Sequence, residues 1–174
     1  MEGKISDLRF EALRNAIYHT ARRLFLDRCN KVLTLVIILA GASAIGQLGI
    51  NFGIADRWFG FVAAIAGTLQ LVFDFGVKAR DHEFLQRRFY DLLAKAAEKP
   101  SPTDNDVAQW DAELQRLYGE EPPPLRALDA IAYNAACDSL GKHHARIRIA
   151  WWQSLFRHIF PFHQTSFKED KRTA

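Results

Sequence analysis

The sequence predicts an all-α membrane protein, a two-helix transmembrane hairpin with long cytoplasmic helical extensions and a small C-terminal helical region. Three observations carry that expectation. From Val32 to Ala55 there are 24 residues without an ionisable side chain, about 36 Å of helix and enough to cross a bilayer. After Asp56 and Arg57 comes a second apolar run, WFGFVAAIAGTLQLVF, then Asp74, then Phe75 to Val77. It reaches crossing length if one carboxylic acid is tolerated near its end. Elsewhere the apolar residues recur at helical spacing, with no strand pattern of any length.

A pair of buried helices in a soluble bundle is the competing explanation. Such helices normally keep one polar face, because a small domain does not surround a helix on all sides. In the first run the polar side chains are only Thr34, Ser43, Gln47 and Asn51, all uncharged. Lipid is the better solvent for that segment.

Ahead of the hairpin, Ile5, Leu8, Ala12, Ala16, Thr20 and Leu24 form one helical stripe, with Leu13, Ile17, Ala21 and Phe25 beside it. Nothing between Arg9 and Val32 breaks a helix. Arg22, Arg23, Arg28 and Lys31 precede the first run, and Lys78, Arg80, Arg87 and Arg88 follow the second, whereas the connecting loop holds only Arg57. The positive-inside rule therefore places both termini in the cytoplasm. Trp58 and Phe59 suit the outer interface.

Helical spacing continues through Phe84, Leu85, Phe89, Leu92, Leu93, Ala96 and Ala97 and stops at Pro100. Thr103 with Asp106 caps a helix from Asp104 to Tyr118, which Gly119 ends. That helix is acidic and the flanks of the hairpin are basic, so the two can dock. A further helix starts at Pro124, buries Leu125, Leu128, Ile131, Ala132 and Ala135, and stops at Gly141. The last helix is expected from about Ala145 to Ile159, before Pro161. The domains that follow are 1–31 (an amphipathic helix), 32–77 (the hairpin, with membrane helices of about 32–55 and 58–77), 78–162 (cytoplasmic helices) and 163–174 (a charged tail).

Cys29 and Cys137 have no paired spacing, and both are expected as reduced thiols. The first 31 residues are too charged for a cleavable signal peptide. The net charge of +3 is modest, and no nucleic-acid partner is expected. No phosphate loop, nucleophile elbow or zinc spacing is present, so the chain is expected to be no enzyme and to need no cofactor or metal. His143 and His144 are adjacent and diverge on a helix, which disfavours joint ligation. Catalysis would need a polar pocket among Tyr18, His19, Asp81, His82 and Glu83.

Asp74 is the most informative single residue. A carboxylate in a membrane helix faces a bundle interior, water or a partner, and Gln70 lies one turn away, with Ser43 expected at about the depth of Gln70 on the other helix and Thr34 nearer the cytoplasmic mouth. These four are the candidate pore or gate residues. Alternatively, Asp74 sits at the inner interface beside Lys78 and is merely solvated. Gly49 and Gly53 form a GxxxG pair, and Gly60 with Ala64, then Ala63 with Gly67, repeat small residues four apart. Such faces let helices pack closely, within one hairpin or between copies. Trp151 and Trp152, with Arg146, Arg148 and Arg157, fit a helix at the membrane surface or, preferred on helical spacing, a core or subunit-interface helix with a basic solvent face.

The layout resembles the SLATT family of bacterial two-helix membrane effectors. The matching residues are Tyr18, His19, Arg22 and Arg23 in YHTARRLFLDR, the stretch KARDHEFL from Lys78 through Asp81 and His82 to Leu85, and PPPLRALDAIAYNAA from Pro122 to Ala136. The resemblance covers nearly the whole chain and implies a homo-oligomer in the bacterial inner membrane. It implies a pore released in bacterial conflict and anti-phage defence by a nucleotide-based or other cue. This chain carries no attached nucleotide-sensing domain, so the cue would come from a separate sensor protein or signal. A non-conducting membrane-anchored scaffold is the alternative.

Overall fold

The computed structural model describes residues 2–44, 56–141, 146–162, 165 and 167, with backbone alone at 43, 44, 56 and 57. Among them the chain is all-helical: α1 (Glu2–Ala44), α2 (Asp56–Phe73), α3 (Phe75–Glu98), α4 (Asp104–Glu120), α5 (Arg126–Ser139) and α6 (Trp151–Leu155). No strand forms among the described residues. The chain divides into two compact units, residues 1–22 with 82–174, and residues 23–81. The amphipathic N-terminal segment thus shares a unit with the helices after the hairpin, and does not stand apart as a domain of 31 residues.

In the first unit, the α1 stripe Leu8, Ala12 and Ala16 packs into one core with Leu85, Phe89, Leu92 and Ala96 of α3 and Val107, Trp110, Leu114 and Leu117 of α4. Burying a Phe or Leu completely contributes about 2–3 kcal/mol, and Phe89, Leu92 and Leu117 are fully buried. Opposite charges align the outer seam. Glu113 accepts from Lys95 at 2.8 Å, Glu120 from Arg88 at 3.1 Å and Asp106 pairs with Lys99 at 2.6 Å, so the partners of acidic α4 are mostly the lysines at the end of α3, with Arg88 from the basic flanks. Phe84, expected on the apolar face, is exposed, with the Arg88 guanidinium 5.5 Å from its ring centre. Arg9 donates to the Ala96 carbonyl at 2.6 Å, satisfying an end group of α3.

Local signals set several boundaries. Thr103 accepts from the Asp106 N–H while Asp106 accepts from the Thr103 N–H, the expected capping box. Gly141, at φ +69°, is the left-handed stop after α5. Three expectations need correction. Helix α4 runs through Gly119 to Glu120 and ends where Pro122 forces Glu121 to extend. Helix α5 begins at Arg126, not Pro124, because the Leu125 N–H donates to the Tyr18 hydroxyl at 3.0 Å and Leu125 stays extended.

The third correction is the largest. The helix expected from Ala145 to Ile159 is only the five residues of α6, and 146–150 are not helical. Asn134 supplies the reason: its side chain accepts from the Ile147 N–H and donates to the Ile147 carbonyl, both at 2.7 Å. Those bonds replace the ones a helix would make. The aromatic pair does not pack into the core of this chain either, since Trp151 and Trp152 are both exposed.

In the second unit, Gln70 of α2 donates to Asn30 Oδ1 at 2.9 Å and to Thr34 Oγ1 at 3.1 Å on α1. Ala40 and Ala66 are buried, whereas Leu24, expected on the buried stripe, is exposed. Asp74 interrupts α2 and α3 at φ +43°. The helical bonds still pass it, from the Asp74 N–H to the Gln70 carbonyl at 3.0 Å and from the Lys78 N–H to the Asp74 carbonyl at 3.1 Å. One helix, the 41 residues Trp58–Glu98, is therefore long and apolar enough to cross a membrane. Of the first apolar run, residues 45–55 lie outside the described residues.

Candidate functional site

Three side chains of the flank motifs converge inside the first unit. Tyr18 and His19 are neighbours on α1, and His82 reaches them from α3, where a helical face that is otherwise Leu85, Phe89 and Leu92 presents one imidazole. His19 Nδ1 stands 2.7 Å from His82 Nδ1, and His19 Nε2 stands 3.2 Å from Glu121 Oε1 in the turn before α5. His19 stacks on Phe89 at 5.6 Å, and Tyr18 meets both imidazoles edge-on. His19 is fully buried and His82 nearly so.

A carboxylate only accepts, so the His19 Nε2 that faces Glu121 carries a proton. Of the two facing Nδ1 atoms one donates and the other accepts. Burial, reinforced by His19 and Arg22, pushes the His82 imidazole down to about 3. His82 is therefore uncharged at neutral pH and a poor base there. The arrangement is a polar clamp joining α1, α3 and the α4–α5 turn.

A second polar group lies alongside. Arg14 holds Asp129 through two bonds of 2.8 and 2.6 Å and Glu11 at 3.1 Å. The Tyr118 hydroxyl donates to Glu11 at 3.2 Å, and burial followed by Glu11 raises that hydroxyl well above the usual phenol range. With Asn15, Glu121 and Pro124 these residues line an open cleft of about 140 Å³. Its lining sets the carboxyl groups of Glu11, Glu121 and Asp129 against the single guanidinium of Arg14. Tyr18, too, is raised, chiefly by burial.

The other expected residues fall elsewhere. Asp81 is exposed, and Glu83 pairs with Arg87 on its own helix, so neither joins the Tyr18, His19 and His82 cluster. Arg22 donates to the His158 carbonyl at 2.6 Å. Gln70 bonds Thr34, so Thr34, expected nearer the cytoplasmic mouth, stands level with Gln70, and it also donates to the Asn30 carbonyl of its own helix. Asp74 is exposed and its Oδ1 accepts from the Val77 N–H at 3.3 Å. That bond caps the start of α3. Gly60 and Gly67 have nothing within 4 Å of where a Cβ would stand, and Ala64 is exposed, so this stripe faces open space. The Ser43 side chain, Gly49, Gly53, His143 and His144 lie outside the described residues.

Sequence reasoning missed Glu121, Asn30 and Phe89 as partners. None carries a local motif; each is defined by what it meets from a distant part of the chain. Among the described residues no three metal-ligating side chains come together. No family model, curated protein or solved structure matches this chain. The likeness to the SLATT family accordingly rests on the three motifs quoted above.

Proposed function

We propose that this chain is a homo-oligomeric inner-membrane effector whose transmembrane hairpins surround a conducting path, acting in bacterial defence as its SLATT-like motifs imply. One observation carries the membrane part. Val32, Leu35, Ile38 and Leu39 of α1 and Trp58, Phe61, Ile65 and Leu71 of α2 are all exposed, and only 6% of the most apolar window of the long helix is buried. Water-soluble proteins rarely leave so large an apolar belt uncovered. Hydrocarbon is the solvent that suits it.

Two features favour association of copies. The Gly60, Ala64 and Gly67 face is open, and small residues let helices approach closely in lipid. The hydroxyls of Thr34 and Thr68 bond their own helices at Asn30 and Ala64, so neither needs water. The basic flanks place both termini in the cytoplasm under the positive-inside rule. Release of conduction would come from a separate sensor protein or nucleotide signal.

A specific observation favours the second reading, a non-conducting membrane-anchored scaffold. Gln70 and Thr34 are engaged inside the hairpin, which leaves Asp74 as the polar group best placed to line a path. Reconstitution separates the two. The pore reading expects four or more copies per particle in a lipid nanodisc, an ion flux through vesicles, and a flux altered by Asp74→Asn. A monomer or dimer with no flux leaves the scaffold. A tag at Asp56 reached only from the cytoplasm overturns both.

A further inference from the structure

We propose that the segment from Arg146 to Phe162 is a membrane-surface contact that seats its aromatic side chains among anionic lipid headgroups. The proposal rests on the membrane reading above and adds a second, peripheral contact to it. Its first support is inverted burial. In α6 the buried residue is Gln153, while Trp151 is 79% and Leu155 66% exposed, followed by Ile159 at 63%. A short helix that turns its amide inward and its apolar side chains outward fits an apolar medium outside the protein.

The exposure is built into the fold. Asn134 holds the Ile147 backbone at one end of the segment. Further along, Arg22 donates to the His158 carbonyl at 2.6 Å and the Arg126 N–H to the Pro161 carbonyl at 3.3 Å. Gln153 Oε1 accepts the Ala150 N–H at 2.9 Å, fixing the start of α6. Anchored along its length, the segment keeps Trp151, Leu155 and Ile159 pointing away from the core.

Charge selects the occupant. From Arg146 to Phe162 the sequence contains no Asp or Glu and carries Arg146, Arg148 and Arg157, the first of them paired with Asp138 at 3.6 Å. A two-fold contact with a second copy would bring the same cations together, which like-charge repulsion opposes. A layer of anionic headgroups complements them, and Trp at that depth satisfies both its ring and its N–H. Because the segment is on the same chain as a membrane-length helix, even weak surface affinity is effective.

The four tryptophans make the test. Trp110 lies in the core of the first unit and serves as the unquenched reference. The full chain is reconstituted in phosphatidylcholine vesicles with or without phosphatidylglycerol, the acyl chains brominated, and Trp fluorescence is read in three variants. Trp151→Phe with Trp152→Phe leaves Trp58 as the reporter of the hairpin. Trp58→Phe leaves Trp151 and Trp152 as reporters of the segment, and the triple variant leaves Trp110 alone.

The expected result is quenching of both reporters, that of the segment rising with phosphatidylglycerol and the Trp110 signal unchanged. Arg148→Gln should lower the bound-to-free ratio of the segment about fivefold. Quenching of Trp58 without quenching of Trp151 and Trp152 overturns the surface contact and leaves the membrane reading standing. Failure of both reporters overturns the membrane reading itself. A blue shift of Trp151 and Trp152 without bromine quenching, or quenching indifferent to phosphatidylglycerol, also overturns the proposal, the first in favour of a contact between copies.

Discussion

His19 and His82 face each other Nδ1 to Nδ1 at 2.7 Å across 63 positions of sequence. The contact works only while one of the two facing nitrogens is unprotonated. Glu121 fixes a proton on the far side of His19. Tyr18, Arg22 and Glu121 are the titratable or charged groups around it.

The first prediction follows from that pair. His82 is held at about 3 against an ordinary 6.5. Below 6.5 the unfolded chain takes up a proton that the folded chain refuses, so stability falls as the pH drops from 6.5 towards 3. The slope approaches about 1.4 kcal/mol per pH unit, and this contribution is flat above 7. Thermal unfolding in detergent should therefore give a lower midpoint at about pH 5 than at about pH 7.5, and His82→Gln should flatten that difference. An unchanged pH profile in the variant would remove His82 from the account.

Gln70 gives the second. Its amide is the polar tie between α1 and α2, and Gln70→Met removes both bonds to Asn30 and Thr34 while keeping the volume. Bonds between membrane helices are worth about 0.6 kcal/mol each, reaching about 1.7. Loss of about 1–2 kcal/mol in a steric-trapping measurement is expected. Thr68→Ala is the control, because that hydroxyl bonds only the Ala64 carbonyl of its own helix. Equal losses in the two variants would contradict the assignment.

The third concerns Asn134. Truncation to Ala strips the Ile147 N–H and carbonyl of their partners at once, at a cost of about 1–3 kcal/mol. Hydrogen exchange should accelerate at Ile147 and its neighbours and stay slow at Leu92, whose side chain is fully buried in a different cluster. If Ile147 exchanged at the same rate in Asn134→Ala, the side chain would not be what holds 146–150 out of a helix.

How far the fold is legible from sequence depends on the range of the forces. The Thr103 and Asp106 box and the Gly141 stop are settled within a few residues, and both are read correctly. The apolar runs follow from composition; the seam of α4 does not, since Lys95 and Lys99 lie beyond the basic flanks that the acidic helix was expected to meet. Residues 145–159 were expected as one helix because their apolar spacing is helical, but that spacing is blind to the Asn134 side chain. Gln70 was legible as a polar residue in an apolar helix; that it bonds Asn30 and Thr34 was not. Tyr18, His19 and His82 were named as flank residues, yet Glu121 closes their chain from a turn 102 positions beyond His19.

The sequence by itself determined which runs are most apolar, where Thr103 and Asp106 cap α4 and Gly141 follows α5, and which segments carry its cations, because each of those is set by neighbouring residues. Only the tertiary structure decided which polar groups meet: His19 with His82, Gln70 with Asn30, Asn134 with Ile147. It also decided that Trp151 faces outward while Gln153 faces in. A hydrogen bond acts over about 3 Å, and which residues come that close across a hundred positions is fixed by packing, which no local pattern encodes.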